Sequence, residues 1–169
     1  MSASWRSGPA DNVTWRIATT RVWPRFFAPT MIVDTGAWYA IADRSDRHHR
    51  AARRFYQQHA ATGIFVTTDL IMAETCALLA GHLGRHAALT FWETLRDTRT
   101  TILTLDAIDL ESAWHIVQAY PDQAFSFVDC TTFAVMQRMG IDEAFAFDSH
   151  FLLYRFGSQR QRAFRRLPN

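Results

Sequence analysis

The chain contains no lysine: all 18 of its basic residues are arginine. Arginine's planar fork suits phosphate, but the absence is chain-wide and not local, so a biased coding sequence explains it better. Cysteine is scarce. Cys76 and Cys130 both fall in apolar helical patterns, the setting of buried thiols and not of a disulfide or a metal pair. Five prolines and seven glycines argue against a long disordered region. No apolar stretch approaches the roughly 20 residues that span a bilayer. No segment joins a basic start, an apolar middle and a small-residue cleavage site, so the chain reads as cytoplasmic. No glycine-rich phosphate loop occurs, which speaks against a nucleotide cofactor. No His-Glu-x-x-His occurs, and neither His48–His49 nor His82–His86 joins a cysteine or an acid at zinc spacing. Asp148-Ser149-His150 supplies the letters of a hydrolase triad, but adjacent residues relay protons poorly and no nucleophile elbow is present.

What is present fits one domain: 169 residues, 49% of them hydrophobic. The first thirty residues differ from the rest. Met1 to Thr30 holds three of the six tryptophans, four arginines and one acid, Asp11, with no clear period. Beyond it 14 arginines face 15 acids, so the formal +2 of the chain resides in this leader. Global basicity is therefore a weak argument for nucleic acid. A domain starting at Met31 would be complete and compact. The leader then reads as an extension, a disordered tail or a misassigned start. Alternatively it is an added helix in which Trp15, Ile17 and Val22 pack on the domain.

From Thr30 onward, strand patterns of four or five residues alternate with longer helical ones. Strands are expected at Thr30–Val33, Ile64–Thr67, Thr101–Leu105 and Ala144–Phe147. Helices are expected at Thr35–Ala42, Arg47–His59, Leu70–Ala80, Arg85–Leu95, Asp109–Tyr120 and Phe127–Met139. Thr68 and Asp69 are plausible caps, Gly81 and Gly84 mark a helix end, Pro121 closes another and Gly140 ends a third. Leu110, Ala113, Trp114 and Val117 form the expected buried stripe of the Asp109–Tyr120 helix. A last short element begins near Phe151, and residues 158–169 form a basic tail. Such alternation describes an α/β fold: a central, mostly parallel sheet with helices on both faces.

Four acids stand out against this background. Asp34 ends Met31-Ile32-Val33, and Asp148 ends Ala144-Phe145-Ala146-Phe147. Asp129 follows Phe125-Ser126-Phe127-Val128, and Glu74 interrupts Leu70-Ile71-Met72-Ala73. In a parallel sheet the strand ends line one edge, where ligands bind. Separations of 40, 55 and 19 residues mean these acids meet only through the fold. Three of them have a plain alternative as helix caps. Glu74 has none, and glutamate is seldom buried alone. Like charges cannot pair with one another, so a hard divalent cation is the simplest way to hold them together.

The same segments resemble the four signature regions of PIN-domain proteins. They are Met31-Ile32-Val33-Asp34-Thr35, Thr68-Asp69 through Glu74, Phe125 through Phe133, and Ile141 through Phe151. The likeness runs from about Met31 to Gly157 and is strongest to the VapC toxins of type II toxin–antitoxin systems. It implies a three-layer PIN-like fold and a ribonuclease dependent on Mg²⁺ or Mn²⁺. Asp34, Glu74, Asp129 and Asp148 match the family's acids, and Thr35 matches its hydroxyl position. It also implies RNA as substrate, a homodimer, and a small antitoxin protein as partner. The leader departs from the family pattern, in which the first acid lies near the start.

Ser149 and Thr35 are further candidates for orienting water or phosphate. Arg44, Arg47 and Arg50 are candidates for contacting an RNA backbone. Phe55, Tyr56, Phe91 and Trp92 are candidates for a subunit contact, with core packing as the equal alternative. Competing functions are a DNA nuclease of similar fold, an RNA-processing enzyme without a toxin role, a phosphatase-like hydrolase and a non-catalytic binding module. The missing lysine weighs against the phosphatase.

Overall fold

Met31, Ile32 and Val33 have no polar group to offer water, and all three are buried. A strand buried on both faces belongs in the middle of a parallel sheet. This strand, Thr30–Val33, is the second in the chain. The computed structural model describes residues 17–18, 30–61 and 63–168. In chain order the elements are β1 (Ile17–Ala18), β2 (Thr30–Val33), α1 (Thr35–Ala42), α2 (His49–His59), β3 (Ile64–Thr68), α3 (Asp69–His82) and α4 (Arg85–Asp97). Then come β4 (Thr101–Leu103), α5 (Ala107–Ala119), α6 (Phe127–Met139), β5 (Glu143–Phe145), α7 (His150–Leu153) and β6 (Arg165–Leu167).

The sheet has the order β1-β4-β3-β2-β5-β6, and every pair is parallel. Ile32 sits opposite Val66 on one side and Ala144 on the other. The β2–β3 and β3–β4 crossovers step one way, and the β4–β5 crossover steps back across β2. Right-handed crossovers therefore put α1–α4 on one face and α5–α6 on the other. The expected α/β three-layer fold is the one observed. No described helix is long and apolar enough to cross a membrane. Cys76 is half-buried and Cys130 buried, both as free thiols. Burial, with Asp129 nearby, pushes the Cys130 thiol up to about 11.

Several boundaries follow from local chemistry. The Thr68 hydroxyl accepts the Ile71 N–H at 3.0 Å and opens α3. Gly81 does not end that helix, which runs on to His82; Gly84, at φ +89°, starts α4 instead. Gly140 closes α6 in the left-handed conformation.

Two strands escape the sequence pattern. β1 lies in the leader and pairs with β4; the rest of Met1 to Pro29 is outside the described residues. β6 lies in the stretch read as a basic tail and pairs with β5, with Phe164 buried just before it. Edge strands of two and three residues are too short to carry a period.

The expected face of α5 is wrong. Of the stripe Leu110, Ala113, Trp114 and Val117, only Ala113 is buried, and Trp114 is 56% exposed. The buried set is Asp109, Ala113 and Ile116. The cause is an ion pair. Asp109 is 1% exposed and takes a two-pronged contact from Arg138 of α6, Nε to Oδ1 at 2.6 Å and a terminal nitrogen to Oδ2 at 2.8 Å. Turning Asp109 inward turns the leucine and tryptophan outward.

The subunit-contact candidates are mostly core. Phe91 lies 5.5 Å from Trp38, Phe55 lies 4.6 Å from Phe145, and Tyr56 stacks on Phe65 at 4.9 Å. Only Trp92 stays substantially exposed.

Removing one partner of a buried ion pair strands the other's charge. Arg138→Ala should destabilise the protein by about 3–5 kcal/mol. The double change Asp109→Leu/Arg138→Met should be much milder. Urea unfolding of the three proteins at pH 7 checks this; equal losses in single and double variants would refute the pairing.

Candidate functional site

β2 has β3 on one side and β5 on the other, so the connections diverge at its carboxyl end. A crevice opens at such a switch point. The Asp34 N–H donates to the Phe145 carbonyl at 3.0 Å and ties the two strand ends together. The crevice is a cleft of about 540 Å³. All four acids expected from the sequence line it, with Thr35, Arg47, Asp46, His48, Ser126 and His150.

Three of the four acids are held by backbone N–H groups at or beside a helix start. Asp34 is the N-cap of α1, and its carboxylate accepts the Gly36 N–H at 3.3 Å. Asp129 stands in the first turn of α6 and completes a capping box. Its Oδ2 accepts the Ser126 N–H at 2.7 Å, while the Ser126 hydroxyl accepts the Asp129 N–H at 3.0 Å. Asp148 accepts the His150 N–H at 2.8 Å just before α7. Glu74, midway along α3, accepts from the Thr35 hydroxyl at 2.5 Å. The capping and site readings are thus not rivals: one geometry serves both.

His150 was set aside in the sequence as a false triad member. In the fold it joins two of the acids. Its Nδ1 lies 2.9 Å from Asp129 Oδ2 and 3.4 Å from Asp148 Oδ2. Toward ionised carboxylates, which only accept, Nδ1 is placed to donate. Asp129, Asp148 and His150 offer ligand atoms within 4.8 Å of one another. Asp34 and Glu74 line the same cleft outside that trio. Asp148 and His150 are two apart, a spacing that brings both into one tight turn; that was the available signal. His48 was also missed: it stacks on Phe147, with centroids 4.3 Å apart and planes 12° apart, and accepts from Arg47 Nε at 2.9 Å.

Arg44, Arg50 and Ser149 are exposed and do not line the cleft. The Ser149 side chain makes no cap bond at α7.

Asp34 shows the strain of this arrangement. Its pKa is raised from 3.8 to about 7. Burial is the largest cause, Asp129 the next; the Thr35 and Gly36 N–H groups pull the other way, and Asp148 adds a little repulsion. A carboxyl whose charge is disfavoured by burial and by neighbouring acids is a place where a cation would be welcome. Oxygen donors of this kind suit Mg²⁺ or Mn²⁺, and an imidazole beside them is compatible with Mn²⁺.

Residues 31–157 match the PIN domain family. Over 121 residues the chain is 31% identical to the 23S rRNA-specific endonuclease VapC20 of Mycobacterium tuberculosis, in two strains. That match covers 72% of this chain and 91% of the relative. The crystal structure of M. tuberculosis VapC20, described as a Sarcin-Ricin loop cleaving toxin, superposes with a TM-score of 0.69 at 30% identity. It covers 75% of this chain and 96% of that one. VapBC2 from Rickettsia felis, solved bound to a DNA fragment from its promoter, superposes with a TM-score of 0.54. At 7% identity, over 73% of this chain and 92% of that one, it shares the fold alone.

Asp34 gives a pH test. Its folded-state pKa lies above the unfolded value, so folding takes up a proton between about pH 4 and pH 7. Without added metal, the contribution of Asp34 to stability therefore falls as pH rises through that window. Asp34→Asn keeps the acceptor for Gly36 and loses the charge. In EDTA it should match the parent near pH 4 and exceed it near pH 8. Urea midpoints across this range decide; parallel profiles would refute the raised pKa.

Proposed function

The chain belongs to the PIN-domain family, and from that premise we propose that it is a divalent-metal-dependent endoribonuclease, the toxin of a type II toxin–antitoxin pair. The observation that carries the reading is the convergence of Asp34, Glu74, Asp129 and Asp148 on one cleft. The 31% identity to an rRNA-specific endonuclease supports RNA as the substrate class.

Asp129 and Asp148, with Asp34 and Glu74 beside them, would hold Mg²⁺ or Mn²⁺. Such an ion, when bound, lowers the pKa of a coordinated water and offsets charge on a phosphate. The chain's own residues do the rest. Thr35 fixes Glu74 through its hydroxyl and leaves a lone pair for a water. His150 holds Asp129 and Asp148 at one spacing. Arg47, at the cleft, is placed to meet a phosphate oxygen. Arg44 and Ser149, outside the cleft, would act only on parts of a longer substrate.

The functional unit in this reading is residues 31–157, with β6 completing its sheet. An antitoxin would block the cleft. A homodimer would cover apolar surface left open on α3 and α4, where Leu78, Leu83 and Trp92 are exposed.

The direct test uses Asp129→Asn. Asparagine is nearly isosteric and retains an acceptor for the Ser126 N–H, so the fold should survive. Cleavage of RNA in Mg²⁺ should fall about 100-fold or more, because charge on the reacting phosphate is no longer offset. Mapping 5′ ends of total RNA after brief expression of parent and variant reads class and substrate together. Identical end profiles, with the protein soluble and free of antitoxin, would contradict a ribonuclease. Equal digestion of DNA by the purified parent would favour the broader nuclease.

A further inference from the structure

A second cavity, of about 570 Å³, lies between α5, the carboxyl half of α6 and the segment after α7. Arg138, Arg155, Arg160 and His115 line it, and no described acid does. The charges are not equally free. Arg138 is spent on Asp109, and His115 has an exposed Glu111 at 3.4 Å. Arg155 and Arg160 form no ion pair with a described acid. Arg155 bonds the carbonyls of Leu152 and Tyr154. The Arg160 guanidinium lies over the Tyr120 ring, 4.6 Å from its centre, and reaches the Ala119 carbonyl at 3.3 Å. Arg160 is the one described non-glycine residue at positive φ, +51°, a conformation that L side chains seldom adopt. The turn thus holds a cation over an aromatic ring, in a concavity that a second arginine also lines and no described acid does.

The Phe125 ring stands between this cavity and the cleft. Tyr120 lies 5.5 Å from Phe125, and Phe125 lies 5.2 Å from His150. We propose that the cavity is an RNA docking site. Arg155 and Arg160 bind phosphates of the chain flanking the cut, and an unpaired base stacks on the outer face of the Arg160 guanidinium. Planar cations over aromatic rings, next to phosphate ligands, are how single-stranded RNA is held. An acidic peptide would use the charges but not the stack. The ligand's identity rests on the ribonuclease reading; the cavity and its charge do not.

The test measures binding and cutting separately. Affinity for a labelled single-stranded oligoribonucleotide is measured against salt in the Asp129→Asn background. Adding Arg155→Gln and Arg160→Gln should weaken binding about tenfold or more. It should also lower the log–log salt slope by about 1.4, the value for two phosphates on a single strand. Arg155→Lys/Arg160→Lys should restore the slope and only part of the affinity. In the otherwise unchanged protein, the glutamine pair should cut a dinucleotide as the parent does and a long RNA more slowly. Unchanged affinity, a changed affinity with an unchanged slope, or no RNA binding before the arginines are changed would each overturn the proposal. So would an acidic peptide that displaces the RNA at equal charge concentration. RNA binding through these arginines without any cutting by the parent would instead overturn the ribonuclease reading and leave the docking site standing.

Discussion

Mutual repulsion among carboxylates at one sheet edge is the constraint on which this structure turns. Side chains that would separate in water are held together by backbone the core cannot release. Met31, Ile32 and Val33 are buried on both faces, so Asp34 has no freedom to leave the edge. The Asp34 N–H bonded to the Phe145 carbonyl fixes the β5 end beside it. The raised pKa of Asp34 records that confinement, through burial first and repulsion from Asp129 second. Protonation relieves it at low pH, and a bound cation would relieve it at neutral pH.

The helices turn this constraint into a defined geometry. Asp34 and Asp129 satisfy orphan N–H groups at helix starts, as Asp148 does in the turn before α7, and each keeps its carboxylate toward the cleft. A capped carboxylate has little rotamer freedom left, so little is lost when it binds an ion. Glu74 lacks that role and is held by Thr35 instead. His150 joins the walls formed by α6 and the β5 end. An acid read as a cap and an acid read as a ligand are therefore one residue in two roles.

Much of this was legible in the sequence, for identifiable reasons. An apolar run that stops at an acid marks a strand end, and β2 reads that way; β5 instead ends at Phe145, short of the expected Phe147. Thr68 and Gly140 are caps with local chemistry, and they fell where expected. What was not legible depended on distant partners. The face of α5 is set by Arg138, 29 residues from Asp109, and periodicity alone chose the opposite side. β1 and β6 exist because β4 and β5 offer open edges, not because their own residues demand pairing. His150 was dismissed for being adjacent to Ser149; its partner was Asp129, 21 residues away. Arg160 looked like a member of a basic tail until Tyr120 was placed beneath it.

The most direct test of the central claim counts protons. Mn²⁺ is titrated calorimetrically at pH 7 into the metal-free protein, in two buffers of different ionisation heat. With a pKa of about 7, Asp34 carries roughly half a proton before the ion arrives and none afterwards. Binding should release about half a proton in the parent, and should be weaker with almost no release in Asp34→Asn. Binding heats that are the same in both buffers, or equal binding by the two proteins, would contradict the claim.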